Sequence, residues 1–245
     1  MDFRQIPLNK ILFLDIETVP AFPEYSQLPE QWKKLWDKKA SYINREGLPD
    51  EEFYQRAGIY AEFGKIIAVS LGIITEQNGR KKLRLKTIYG DNEKCILEKL
   101  ARILDQYYAN DDNYLCAHNG KEFDFPFLAR RMLVNNVKIP KILDTHGKKP
   151  WEVRHLDTMD LWKFGDHKHF TSLELLATLF DLPSPKTDID GSEVWKIYWQ
   201  DKDLNRIAEY CEKDTITVAQ LFLKFRNLPP ISQENIIISE RDKCD

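Results

Sequence analysis

Two carboxylates, Asp15 and Glu17, close the apolar run KILFLDI at residues 10–16. Such a run reads as a strand covered on both faces. Residues two apart on a strand point to the same face, so the two acids project together from the end of a hydrophobic strand. Paired carboxylates withdrawn from water need a cation or a proton between them. The spacing alone says little, because Asp50/Glu52 and Asp91/Glu93 repeat it. A strand ending at Leu14 would leave both acids merely solvated.

Two further acids have similar contexts. In HNGKEFDFPF, residues 118–127, a strand ends near Ala117 and Pro126 suits the first turn of a helix. Asp124 therefore lies at a helix N-terminus, where capping alone would explain it. Near the C-terminus, Tyr210 and Asp214 fall one turn apart on one face of a long helix. The apolar series Leu204, Ile207, Cys211, Val218 and Phe222 runs beside them. Asp214 thus borders a buried stripe where a hydrophobe is expected, and it too asks for a counter-cation.

The elements that must position these groups are legible from periodicity. Residues 65–74 and 82–89 read as two strands joined through Gln77-Asn78-Gly79-Arg80, a hairpin turn. Helical spacing covers 92–109, about 126–134, 171–180 and 203–226, with strands at 113–117 and near 153–160. Early strands followed by alternating helices and strands predict an α/β fold on a mixed five-stranded sheet. The segment 20–62, rich in Pro, Trp, Tyr and Lys, interrupts this plan as a helical insertion. It is a lid, a substrate contact or plain packing. Residues 1–228 read as one domain, and 229–245 as a polar tail, expected to be mobile.

With 245 residues, 42% hydrophobic and 31% charged, the chain has the composition of a soluble globular protein. The net charge of −3 argues against coating duplex DNA but not against holding a few nucleotides. We see no signal peptide and no membrane-length apolar run. Cys95, Cys116, Cys211 and Cys244 show no disulfide-like spacing, which suits a reducing, cytoplasmic setting. His155, His167 and His169 lack zinc-site spacing and read as surface or packing residues.

Taken in order, acid-x-acid on the first strand, Asn119-x-x-x-Phe123-Asp124 after a later strand and Tyr210-x-x-x-Asp214 on the last helix resemble the three exonuclease motifs of the DEDD superfamily. The resemblance is greatest to the 3′–5′ exonuclease domain of family B DNA polymerases and its stand-alone bacterial relatives, and it spans about 10–225. It implies an RNase H-like fold and two divalent metal ions, Mg²⁺ or Mn²⁺, held by Asp15, Glu17, Asp124 and Asp214. Tyr210 would orient the attacking water, since Glu209 stands where the histidine branch has its histidine. Thr18, Asn119 and Phe123 would contact the 3′ end of a single-stranded nucleic acid, and nucleoside 5′-monophosphates would leave. DNA is preferred over RNA because the helical RNA-grasping domain of ribonuclease D-like enzymes does not fit this length. An RNA-trimming exoribonuclease and a non-catalytic nucleic-acid-binding module are the alternatives.

Overall fold

The computed structural model describes residues 2–166, 170–182 and 189–245. After two short 3-10 turns, β1 (Ile11–Pro20) leads into the insertion, which holds α1 (Glu30–Ile43), α2 (Asp50–Tyr54) and a 3-10 turn at Gln55–Ile59. The hairpin follows as β2 (Gly64–Gln77) and β3 (Arg80–Gly90). Asn78 and Gly79 both adopt positive φ at its tip, as the turn residues predict. Next come α3 (Glu93–Tyr107), β4 (Tyr114–Ala117), α4 (Asp124–Val134), β5 (Leu156–Asp157), α5 (Thr158–Lys163) and α6 (Leu173–Leu179). The chain ends with α7 (Val194–Lys196) running into a π-helical turn (Ile197–Asp201), then α8 (Leu204–Phe225) and β6 (Ile236–Cys244).

The sheet order is β5-β4-β1-β2-β3-β6. Strand β2 runs antiparallel to β1 and β3, while β4, β5 and β6 pair in parallel. The first five strands form the RNase H-like arrangement expected from the sequence. The sixth corrects the expectation of five strands and a mobile tail. Strand β6 is mostly exposed and ion-paired, so it lacks the apolar alternation by which strands are recognised. It adds to the edge of β3 through backbone hydrogen bonds, which leave no trace in side-chain type. The cysteine expectation is corrected as well: Cys95 on α3 and Cys244 on β6 form a disulfide across 149 residues of chain, a separation no local spacing pattern reveals. The strand expected near 153–160 is only two residues long. Asp157 stops it by accepting the backbone N–H groups of Met159 and Asp160 and capping α5.

Alternation along β1 divides the core. Leu12, Leu14 and Ile16 join the cluster built with α3 and α4, whereas Ile11 and Phe13 join Val218 and Phe222 of α8. Continuing that period, Asp15 and Glu17 lie on the α8 face of the sheet. Gly72 permits the close approach of α8, since a Cβ there would sit 3.1 Å from the Thr215 methyl group. Beyond the helix, the Arg241 guanidinium of β6 grips Glu212 with two bonds of 2.9 Å and reaches Glu209 at 3.1 Å. Glu212 is 2% exposed, so Arg241 supplies the counter-charge for a buried carboxylate.

Arg241→Met should destabilise the fold by roughly 2–4 kcal/mol, because it strands the Glu212 carboxylate. Glu209→Gln, which breaks only an exposed contact, should cost under about 1 kcal/mol. Urea denaturation of both variants measures the difference, and equal costs would mean that the fork does not hold the tail.

Candidate active site

The four predicted acids arrive from three separate parts of the chain. Asp15 pairs across the sheet with Ser70 and Glu17 with Ala68, and the register slips between Glu17 and Thr18. A bulge there re-aims the residues that follow and marks where β1 stops being a plain strand. Cys211 of α8 lies directly against this end, its thiol donating to the Asp15 carbonyl at 3.3 Å. The Asp15, Glu17 and Cys211 ligand atoms all fall within 4.8 Å of one another. Sequence periodicity placed Cys211 only in the apolar stripe.

Asp124 is the first residue of α4, and Phe123 takes the N-cap position. It is not the cap that its position suggested. Its carboxylate is 3% exposed and lies near its own amide and the Ile16 backbone, both of which favour its charged form, so it is turned inward onto β1. The loop before it is tied by a residue that sequence reading missed. Asp157, 2% exposed at the end of β5, accepts the N–H groups of Asn119 at 2.9 Å and Lys121 at 3.0 Å. Asn119 adopts φ +61, a left-handed conformation that asparagine tolerates better than most residues. Among the described residues its buried Oδ1 has no hydrogen-bond partner. The one sequence signal for Asp157 was an acid just before a helix start, which reads as a cap and not as a brace for a second loop.

Electrostatics bind the set together. Loss of water pushes Asp15 and Glu17 well above the ordinary carboxylate range. The negative charges of Asp214 and Asp124 push both further, and Glu17 adds to Asp15. Burial raises Asp124 to about 8, with Asp157 and Asp214 adding to it. Asp214 rises to about 6, again chiefly through burial, and its interaction with the Tyr210 hydroxyl pulls the other way. Burial, followed by Asp214, Glu17 and Asp15, drives the Tyr210 phenol upward, so it stays protonated and acts as a donor.

Such a group of carboxylates is a donor set of hard oxygens, which fits Mg²⁺ or Mn²⁺. The Cys211 thiol does not change that character, because burial and the neighbouring acids hold it protonated. Beside the acids lies a cleft of about 670 Å³, lined by Glu17, Thr18 and Phe123 together with Gly191, Ser192 and Trp195 and part of the insertion. Thr18 and Phe123 thus share one space with Glu17. Phe123 also packs partly on the core, with its ring 5.4 Å from that of Phe127. A Cβ on Gly191 would lie 3.8 Å from the Tyr210 hydroxyl, which places that loop over the tyrosine. His155 is buried against the Phe125 ring, as a packing residue would be; His167 and His169 lie outside the described residues.

The chain is similar to family B polymerases. It is 23% identical over 191 residues to a DNA polymerase of Pyrococcus glycovorans, covering 71% of this chain and 24% of that one. It is 25% identical over 182 residues to DNA polymerase 1 of Pyrococcus abyssi, covering 67% and 23%. The family B DNA polymerase of Pyrobaculum calidifontis superposes with a TM-score of 0.49 at 16% identity, over 87% of this chain and 24% of that chain. The chain spans about a quarter of the length of these relatives. Among the described residues no helix is long and apolar enough to cross a membrane. The family model described as a predicted 3′-5′ exonuclease related to the exonuclease domain of PolB matches residues 59–236; the chain belongs to that family of exonucleases.

Proposed function

We propose that this protein removes nucleotides one at a time from the 3′ end of a single nucleic-acid strand, DNA in preference to RNA. One observation carries the reading. Acids from β1, α4 and α8 converge so closely that the charges acting most on Asp15 and Glu17 are those of the other acids in the set. Such repulsion is relieved by a proton or by a cation, and hard carboxylate oxygens brought together from three elements suit a divalent cation. In this reading Asp15, Glu17, Asp124 and Asp214 hold two divalent ions, Mg²⁺ or Mn²⁺. When bound, such ions supply an activated water and stabilise the charge of the leaving oxygen.

The chain's own residues do the rest. The Tyr210 phenol, kept protonated, hydrogen-bonds the attacking water and fixes its line of approach to phosphorus. Attack breaks the bond between phosphorus and the 3′ oxygen of the preceding nucleotide. It leaves a strand with a new 3′-hydroxyl and a free nucleoside 5′-monophosphate. Thr18 and Phe123 line the cleft next to Glu17 and hold the terminal nucleotide. Asn119, whose left-handed backbone shapes the loop before Asp124, contacts the strand end in this reading. Residues 1–228, with β6 completing the sheet edge, act as one catalytic domain.

A 5′-labelled single strand should shorten stepwise with Mn²⁺ or Mg²⁺ and stay intact in EDTA. A closed circular strand should survive, and its cutting at a similar rate would remove the exonuclease reading. Parallel DNA and RNA ladders show which sugar is preferred.

Tyr210→Phe keeps the ring and deletes the hydroxyl. Single-turnover rates should fall by about 10²-fold, the scale of one positioned catalytic group. Unchanged rates would reduce Tyr210 to a packing residue.

The raised acids also set a pH dependence. An acid whose folded pKa exceeds its unfolded value binds protons more tightly when folded, so stability falls as pH rises between the two values. With Asp214 at about 6, Asp124 at about 8 and Asp15 and Glu17 raised well above the ordinary carboxylate range, the melting temperature in EDTA should fall as pH rises from about 4 through 8. Asp214→Asn should flatten the lower part of that decline and show a smaller gain from Mn²⁺ at neutral pH, because a ligand stabilises only the state that binds it. Equal Mn²⁺ gains in parent and variant would exclude Asp214 from the metal site.

A further inference from the structure

The insertion between β1 and β2 has its own core and a defined seat. Trp36, 0% exposed, contacts the rings of Phe53, Tyr54 and Phe63 at centroid distances of 5.7, 5.4 and 5.1 Å. The unit docks on the end of β1 through glycine: a Cβ on Gly58 would meet the Val19 backbone at 3.0 Å and Pro20 nitrogen at 3.1 Å. A Cβ on Gly64 would lie 2.6 Å from the Gly58 carbonyl oxygen. These contacts leave room for hydrogen alone, so the insertion is fixed against the strand end that carries Glu17 and Thr18. Its family match begins only at residue 59, so helices α1 and α2 lie outside the matched segment.

The docked segment forms a wall of the cleft beside Glu17, supplying Leu48, Glu52, Gln55, Arg56 and Ile59, with Phe123 and Trp195 adding apolar lining. Ile59 is 54% exposed, a large aliphatic side chain left in an open cleft. Arg56 is already engaged by Glu46, at 3.0 and 3.5 Å, and Glu52 lines the same wall, so the wall offers the apolar side chains of Leu48 and Ile59 rather than free positive charge. A molecule that puts an anionic group at the acids' bound cations and a flat apolar face at this wall is a nucleotide with its base turned toward the insertion. The volume suits a small ligand of that size.

Building on the exonuclease reading, we propose that the insertion is a substrate-holding wall, whose Ile59, together with Trp195 of α7, grips the unpaired base of the 3′-terminal nucleotide. The phosphodiester then lies at the acids and the base in the cleft. The insertion thereby fixes where the strand end stops, and the wall recognises a nucleobase face more than a phosphate.

The test is binding of a 5′-fluorescein-labelled single-stranded oligonucleotide, read by anisotropy with Ca²⁺, a hard divalent ion for the acids, within a time over which a parallel ladder shows no shortening. A second probe is identical but lacks the base of its last nucleotide. The parent should bind the complete strand about ten-fold more tightly than the abasic one, the order expected of one base contact. Ile59→Ala and Trp195→Ala should each weaken binding of the complete strand by a similar factor and add little to the loss on the abasic strand, because both changes remove the same contact. Unchanged melting of Ile59→Ala, whose side chain is half exposed, shows that the fold survives. Variants that bind as the parent does, or losses that multiply with the abasic loss, overturn the wall. Failure of the underlying reading looks different: a parent that discriminates the two probes yet shortens neither with Mn²⁺ keeps the wall and loses the nuclease.

Discussion

The repulsion among Asp15, Glu17, Asp124 and Asp214 is the constraint around which the fold is organised. Each acid alone could relax by turning to water. Together they are pushed toward protonation, all four chiefly by burial, and Asp15, Glu17 and Asp124 also by other acids of the set. Holding them there costs stability that the surrounding core offsets. The sheet core on the α3/α4 side and that on the α8 side fix β1 from above and below, so the acids cannot move apart without disturbing both layers.

That arrangement explains why positioning residues carry so much of the burden. Asp157 holds the loop before Asp124 through two backbone N–H groups. Cys211 ties α8 to the Asp15 carbonyl on the inner face, and Arg241 engages Glu212 and Glu209 on the outer one. None of these groups is one of the four acids, and each restricts an element that carries one. Acids gathered from a strand and two helices need those elements held from more than one side.

The two additions to the common sheet have separate structural roles. Strand β6 covers the edge of β3 that would otherwise expose unpaired backbone groups, and the Cys95–Cys244 bond fastens its end to α3. The insertion sits at the other side of the sheet's business end, where its docking on Val19 and Pro20 shapes the cleft beside Glu17 and Thr18. Neither addition alters the order of the five central strands.

Local chemistry wrote much of this protein into its sequence. The continuous apolar run of β1, the Asn78-Gly79 hairpin, the helical period of α3 and α8, and the i, i+2 and i, i+4 spacing of Asp15/Glu17 and Tyr210/Asp214 are properties of neighbouring residues, and they survive into the fold because side-chain direction follows backbone period. What tertiary structure alone decided are the meetings of distant segments. The polar edge strand β6, the disulfide across 149 residues, the brace that Asp157 makes to a loop some 36 to 38 residues away and the seat of the insertion on β1 all depend on backbone hydrogen bonds and close approaches. Backbone groups are the same in every residue, so such contacts leave little trace in composition or period, and only the closed fold shows which segments they join.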